Sequence, residues 1–211
     1  MIALMVLDYL GTLAFAISGA LKAVRREMDL FGLIVLAVVT AIGGGTVRDV
    51  MLGLRPFWFN DANYILLSLF AALLVFTLYR LVSRKETVLL WFDAVGLGAF
   101  TVIGASKAIS ADLGLAPTVV LAVMTGVGGG IIRDVLAADV PVVLRKEVYA
   151  SAGIIGAVVY WLMVQWQTPE WVATMAPMLL VTVIRLVSLH YGIGLPKLTG
   201  NGEGNGGGEG V

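Results

Sequence analysis

Long apolar stretches alternate with short polar ones along this chain. Seven of the apolar stretches cover 2–23, 30–52, 62–82, 88–109, 116–138, 147–166 and 171–191. Each is close to the roughly 20 residues that cross a bilayer's hydrocarbon core as a helix. The connections are brief and carry charge or proline, as at Arg55-Pro56, Ser83-Arg84-Lys85-Glu86 and Thr168-Pro169-Glu170. The pattern predicts an all-α integral membrane protein with seven transmembrane helices. Two spans depart from it. The second holds Gly43-Gly44-Gly45 followed by Arg48-Asp49, and the fifth holds Gly128-Gly129-Gly130 followed by Arg133-Asp134.

These segments belong to a longer repeat. A shift of 85 positions places Asp8 on Asp93, Gly19 on Gly104, Lys22 on Lys107, Thr40 on Thr125, Pro56 on Pro141 and Tyr64 on Tyr149. Between 8–64 and 93–149 there are 22 identities in 57 pairs. Many fall on glycine and polar positions, where a shared apolar bias gives few matches. The unit contains three spans, an odd number, so the second copy must enter the membrane upside down. The expected organisation is one structural domain. It has a first three-helix repeat (1–86), an inverted second repeat (87–167), a seventh helix (168–192) and a flexible Gly-rich tail (193–211). Inverted repeats with interrupted helices meeting near the midplane are a known way to build a transport site.

Composition narrows the classes. Hydrophobic residues make up 59% and charged ones 13%, against roughly 25% charged in soluble domains. The zero net charge gives no electrostatic case for nucleic acid. With no cysteine and one histidine, His190 near the end of the last span, there is no thiolate site, metal cluster or catalytic triad. No enzyme activity, catalytic residue, metal or cofactor is therefore expected. With the N-terminus outside, nine Lys and Arg fall on the inner side (Lys22, Arg25, Arg26, Arg80, Arg84, Lys85, Arg145, Lys146, Lys197) and two on the outer (Arg55, Lys107). That bias satisfies the positive-inside rule. It predicts an outside N-terminus and a cytoplasmic C-terminus.

Three consecutive glycines strip the side chains from almost one helical turn, at roughly 1 kcal/mol each relative to alanine. They allow close helix packing, or an unwound turn whose freed carbonyls, with the Thr40 and Thr125 hydroxyls, line a polar path. No strand and no Gly-Lys-Ser/Thr sequence accompanies them, which argues against a phosphate loop. Adjacent residues on a helix do not face each other, so the symmetry suggests exchange across the axis, Arg48 with Asp134 and Arg133 with Asp49. These four in-membrane charges are either a structural clamp or part of a conduit. Asp8 and Lys107 are expected at the outer membrane surface, and Lys22 and Asp93 at the inner one, as anchors or vestibule charges. Arg145 and Lys146 are candidate contacts for anionic lipid. Arg185 in the seventh span has no equivalent in the repeat.

Two repeats carrying GGGxxRD, the Arg145-Lys146-Glu147-Val148-Tyr149 run and a seventh helix together resemble the bacterial members of the trimeric intracellular cation channel (TRIC) family. The same duplicated domain has also been named a glycine transporter domain. The resemblance implies a homotrimer in the bacterial inner membrane, with one pore per protomer between the repeats. It implies potassium or sodium as the conducted ion and bends in spans 2 and 5 at the glycines. A secondary transporter of a small solute such as glycine is the alternative. It is supported by the inverted repeats and by the equal numbers of in-span Arg and Asp in the two copies, which leave no ring of unpaired acids to select cations.

Overall fold

The computed structural model describes residues 2–79, 86–145 and 148–192. The tail and Lys146 lie outside the described residues. The described chain is all-helical: α1 (Ile2–Arg25), α2 (Leu30–Met51), α3 (Asn63–Leu78), α4 (Glu86–Ser110), α5 (Leu115–Leu136), α6 (Val142–Arg145), α7 (Val148–Gln165) and α8 (Glu170–Tyr191). Six of these are long and apolar enough to cross a membrane, and α3 is a shorter apolar helix. The sixth predicted span, 147–166, is α7, and the single turn α6 lies in the connection before it. A matching one-turn 3₁₀ helix, Phe57–Phe59, follows α2.

The repeat is written into the backbone as well as the side chains. Left-handed residues end equivalent helices: Glu27 (φ 55°) and Asp112 (φ 55°) after α1 and α4, Gly53 (φ 68°) and Ala138 (φ 54°) after α2 and α5. The closing hydrogen bonds recur too, Leu54 N to Asp49 O and Asp139 N to Asp134 O, both at 2.8 Å. A left-handed residue with a Cβ costs roughly 1–2 kcal/mol, and only the first copy avoids that cost with glycine. Ala138→Gly should therefore raise the melting temperature of the detergent-solubilised protein, and Gly53→Ala should lower it. The two shifts should be similar in size and opposite in sign.

Helices α1, α2, α4 and α5 form the core. The equivalent rings of Phe15 and Phe100 touch, with centroids 5.1 Å apart, and this places them on the axis relating the two repeats. Beside them α2 crosses α5 at the glycines. A Cβ built on Gly44 would lie 2.2 Å from the Thr125 carbonyl oxygen, and one on Gly129 would lie 2.3 Å from the Thr40 carbonyl oxygen. Equivalent contacts join α1 to α2 and α4 to α5. A Cβ on Gly19 would meet Thr40 Oγ1 at 2.6 Å, and one on Gly104 would meet Thr125 Oγ1 at 2.7 Å.

This corrects the expectation that spans 2 and 5 are broken. Both helices run unbroken through Gly43-Gly44-Gly45 and Gly128-Gly129-Gly130. Unwinding would leave amides and carbonyls without partners at a cost of several kcal/mol each in the membrane. Staying helical costs only the glycine propensity and gains backbone-to-backbone packing. Thr40 and Thr125 are fully buried and donate to Leu36 O (2.5 Å) and Leu121 O (2.6 Å) within their own helices. Neither hydroxyl is available to a freed carbonyl as expected. Helix α8 stands outside the repeat and packs on α4 and α7, where Gly98 lets the Met178 carbonyl approach.

Candidate functional site

The charges gather in two clusters at opposite ends of α1, whose Asp8 and Lys22 are about 21 Å apart along the helix. Each is built on the Arg-Asp pair at the end of α2 or α5, in the turn before a proline-containing connection.

The first cluster opens into a cavity of about 330 Å³ lined by Asp8, Arg48, Asp49, Arg55, Asp61, Tyr64 and Lys107, among others. Arg48 is buried, and its Nε donates to Asp49 Oδ1 at 2.7 Å. The other oxygen of Asp49 accepts from the Phe57 amide at 2.8 Å. The amide is the first N–H after Pro56, so one carboxylate fixes both the arginine and the chain reversal. Tyr64 donates to Asp8 at 2.9 Å, and Tyr9 donates to Asp61 at 2.6 Å. The Tyr9 hydroxyl, with the Asn63 amide, holds the Asp61 carboxyl below the usual carboxylate range. Asp8 near the start of α1 shares this cavity with Lys107 near the end of α4, so these equivalent helices run antiparallel.

The second cluster repeats the plan in a drier setting. Arg133 Nε donates to Asp134 Oδ1 at 2.9 Å, and Asp134 Oδ2 accepts from the Val142 amide at 3.0 Å, the first N–H after Pro141. Arg133 also donates to Asp93 (2.6 Å) and to the Ser18 hydroxyl (2.5 Å). Lys22 bridges Asp134 (3.3 Å) and Asp139 (2.6 Å), and Arg26 pairs with Asp139. The Arg185 guanidinium lies 4.7 Å over the Tyr149 ring. Asp93, Arg133, Asp134, Tyr149 and Arg185 are all buried. A cavity of about 280 Å³ lined by Lys22, Arg25, Arg26 and Asp139 forms the mouth.

One sequence expectation is overturned. Each arginine pairs with its own neighbour, Arg48 with Asp49 and Arg133 with Asp134, and not across the axis. The reason is the inversion itself. From the glycine crossing, Arg48 lies four residues away in one direction and Asp134 five in the other, roughly 14 Å apart along the helices. The long arginine side chain curls back over the 100° between successive Cβ vectors. Asp93 and Lys22 lie in the same cluster, Asp93 bound to Arg133 and Lys22 to Asp134 and Asp139. Arg145 is exposed on α6. Tyr64 and Tyr149 belong to the clusters, and their identity in the repeat was the signal for them. Tyr9, Ser18, Asp61 and Asp139 also belong, and they carried no such signal.

Comparison with known proteins adds three observations. A family model described as glycine transporter matches residues 5–80 and again 90–165, the same offset as the repeat. The inner membrane protein YadS of Escherichia coli K12, of the UPF0126 group, is 44% identical over 90% of this chain and 93% of its own length. Among solved structures, the TRIC trimeric intracellular cation channel orthologue from Rhodobacter sphaeroides has a TM-score of 0.87 at 36% identity, covering 92% of this chain and all of that one. A second, solved for the structural basis of conductance through TRIC cation channels, has a TM-score of 0.85 at 37% identity, covering 94% and 98%.

Proposed function

This chain belongs to the family described as glycine transporter, and from that premise we propose that it is a monovalent cation channel of the bacterial inner membrane. The observation that carries the proposal is the pair of charge clusters, one per repeat, set at opposite ends of a core that is otherwise uncharged among the described residues. Such groups are costly in a membrane and mark ion or substrate pathways. The solved relatives named for cation channels support the same reading.

In this proposal potassium or sodium enters at the first cluster, where Asp8 and Asp61 offer carboxylate oxygens at an open cavity. It leaves past the second. The Arg-Asp pairs fix the cavity walls and the turns beyond them. The packed waist of Phe15, Phe100 and the glycines lies between the clusters and must loosen for ions to pass. The protein works as a homotrimer with one path per protomer, its N-terminus outside and C-terminus in the cytoplasm. Exposed Arg145, with Lys146, contacts anionic lipid at the inner surface.

A carrier of a small solute such as glycine is the second reading. The packed waist favours it, because two cavities separated by a closed core suit alternating access. Purified protein in liposomes with a potassium gradient separates the two. Fast potassium flux that does not saturate supports the channel. Slow, saturable counterflow of labelled glycine without potassium flux contradicts it and supports the carrier.

A further inference from the structure

We infer that Arg185 makes the ion path rectify, so that cations cross more readily from the Asp8 end to the Lys22 end than back. The inference rests on the channel reading and goes beyond it.

The two clusters are equivalent by repeat, yet they differ in charge. The first cavity is lined by three cations (Arg48, Arg55, Lys107) and three carboxylates (Asp8, Asp49, Asp61). The second cluster, counted with its mouth, holds five cations (Lys22, Arg25, Arg26, Arg133, Arg185) and three carboxylates (Asp93, Asp134, Asp139). Asp139 at the mouth is already shared between Lys22 and Arg26. The fully buried part of that surplus is Arg185, supplied by α8, which among the described helices stands outside the repeat.

Its surroundings compensate that charge only in part: the nearby carboxylate, Asp93, is already bound to Arg133. Arg185 is 1% exposed, and its Nε and one terminal nitrogen have no hydrogen-bond partner among the described residues. Its contact is the face of Tyr149, an aromatic ring that attracts a cation weakly compared with a carboxylate. The equivalent Tyr64 spends its hydroxyl on Asp8 and has the edge of Phe57 against its ring instead. An unpaired positive charge in a poorly hydrated interior repels a passing cation more strongly than the same charge at an open cavity.

Once the waist has loosened, the highest barrier therefore sits near one end of the path. A cation arriving from the Asp8 end crosses most of the transmembrane field before it meets that barrier, so voltage assists the climb. From the Lys22 end the ion meets the barrier after a small part of the field, and voltage assists little.

Planar bilayers holding purified, oriented protein in symmetric potassium chloride test this. Current carried from the Asp8 end should exceed the reverse by at least about threefold at 100 mV. Arg185→Gln should bring the ratio close to one and raise the total current, while Arg185→Lys, which keeps the charge, should preserve the asymmetry. If Arg185→Gln does not fold, Lys22→Gln removes a half-buried cation of the same cluster and should lower the ratio in the same sense. A linear current–voltage relation in the unaltered protein overturns the inference and leaves the channel reading intact. So does asymmetry that survives both neutralisations. Absence of any current contradicts the channel reading, and the inference falls with it.

Discussion

Gly44→Ala is expected to destabilise the protein by about 3 kcal/mol, at the upper end of what an added methyl costs in a packed core. Two effects compete. Alanine is the better helix former by roughly 1 kcal/mol, and α2 is helical at this position. Against that, the new methyl would lie 2.2 Å from the carbonyl oxygen of Thr125, a backbone atom that cannot rotate away. The steric term wins because α2 and α5 must separate along the whole crossing. Gly129→Ala should behave alike, since its Cβ meets the Thr40 carbonyl oxygen at 2.3 Å. Gly43→Ala is the control: its methyl meets only the end of the Ile132 side chain, which can turn. Melting temperature in detergent, read from the loss of the folded elution peak, should fall sharply for Gly44 and Gly129 and hardly move for Gly43. Had the glycines been hinges, all three variants would stay folded and differ only in transport.

The second large effect is a contrast between equivalent residues. Asp93→Ala is expected to cost about 3 kcal/mol, because it removes a partner from the buried Arg133. Asp8→Ala should cost about 1 kcal/mol, the worth of the Tyr64 hydrogen bond beside a wet cavity. The same residue at the same place in the two repeats thus has a structural role in one copy and an accessible one in the other. Denaturation of both variants under one condition measures the difference. Equal losses would mean that the second cluster is as hydrated as the first.

Much of the architecture was legible in the sequence because membrane helices obey a simple length rule and the repeat preserves glycine and charge. The seven apolar stretches, the Arg-Asp pairs and the tyrosines were all visible there. Failures came where a local rule was applied without its surroundings. Glycine's poor helix propensity suggested a break at Gly43–Gly45, but propensity is small beside the cost of freeing backbone groups in the membrane. The directions of neighbouring Cβ atoms argued against an Arg48–Asp49 pair, but the reach of arginine exceeds that separation. Asp61 and Asp139 could not be found by the repeat, since their equivalents are Lys146 and Leu54. Arg185 stood out only as an unmatched charge. Its place over Tyr149 depends on how α8 docks, and the repeat pattern does not include that helix.

The central claim is that cations cross the membrane past these two clusters. The chain has no cysteine, so one thiol can be placed at each cavity, Lys107→Cys at the first and Asp139→Cys at the second. Unitary potassium currents are then recorded in a planar bilayer while a charged, water-soluble thiol reagent is added to one side. Discrete current steps are expected, and their amplitude should change when Lys107→Cys is treated from the side of the N-terminus and when Asp139→Cys is treated from the opposite side. Failure to observe unitary currents, or currents unchanged by complete modification at both positions, would contradict the claim.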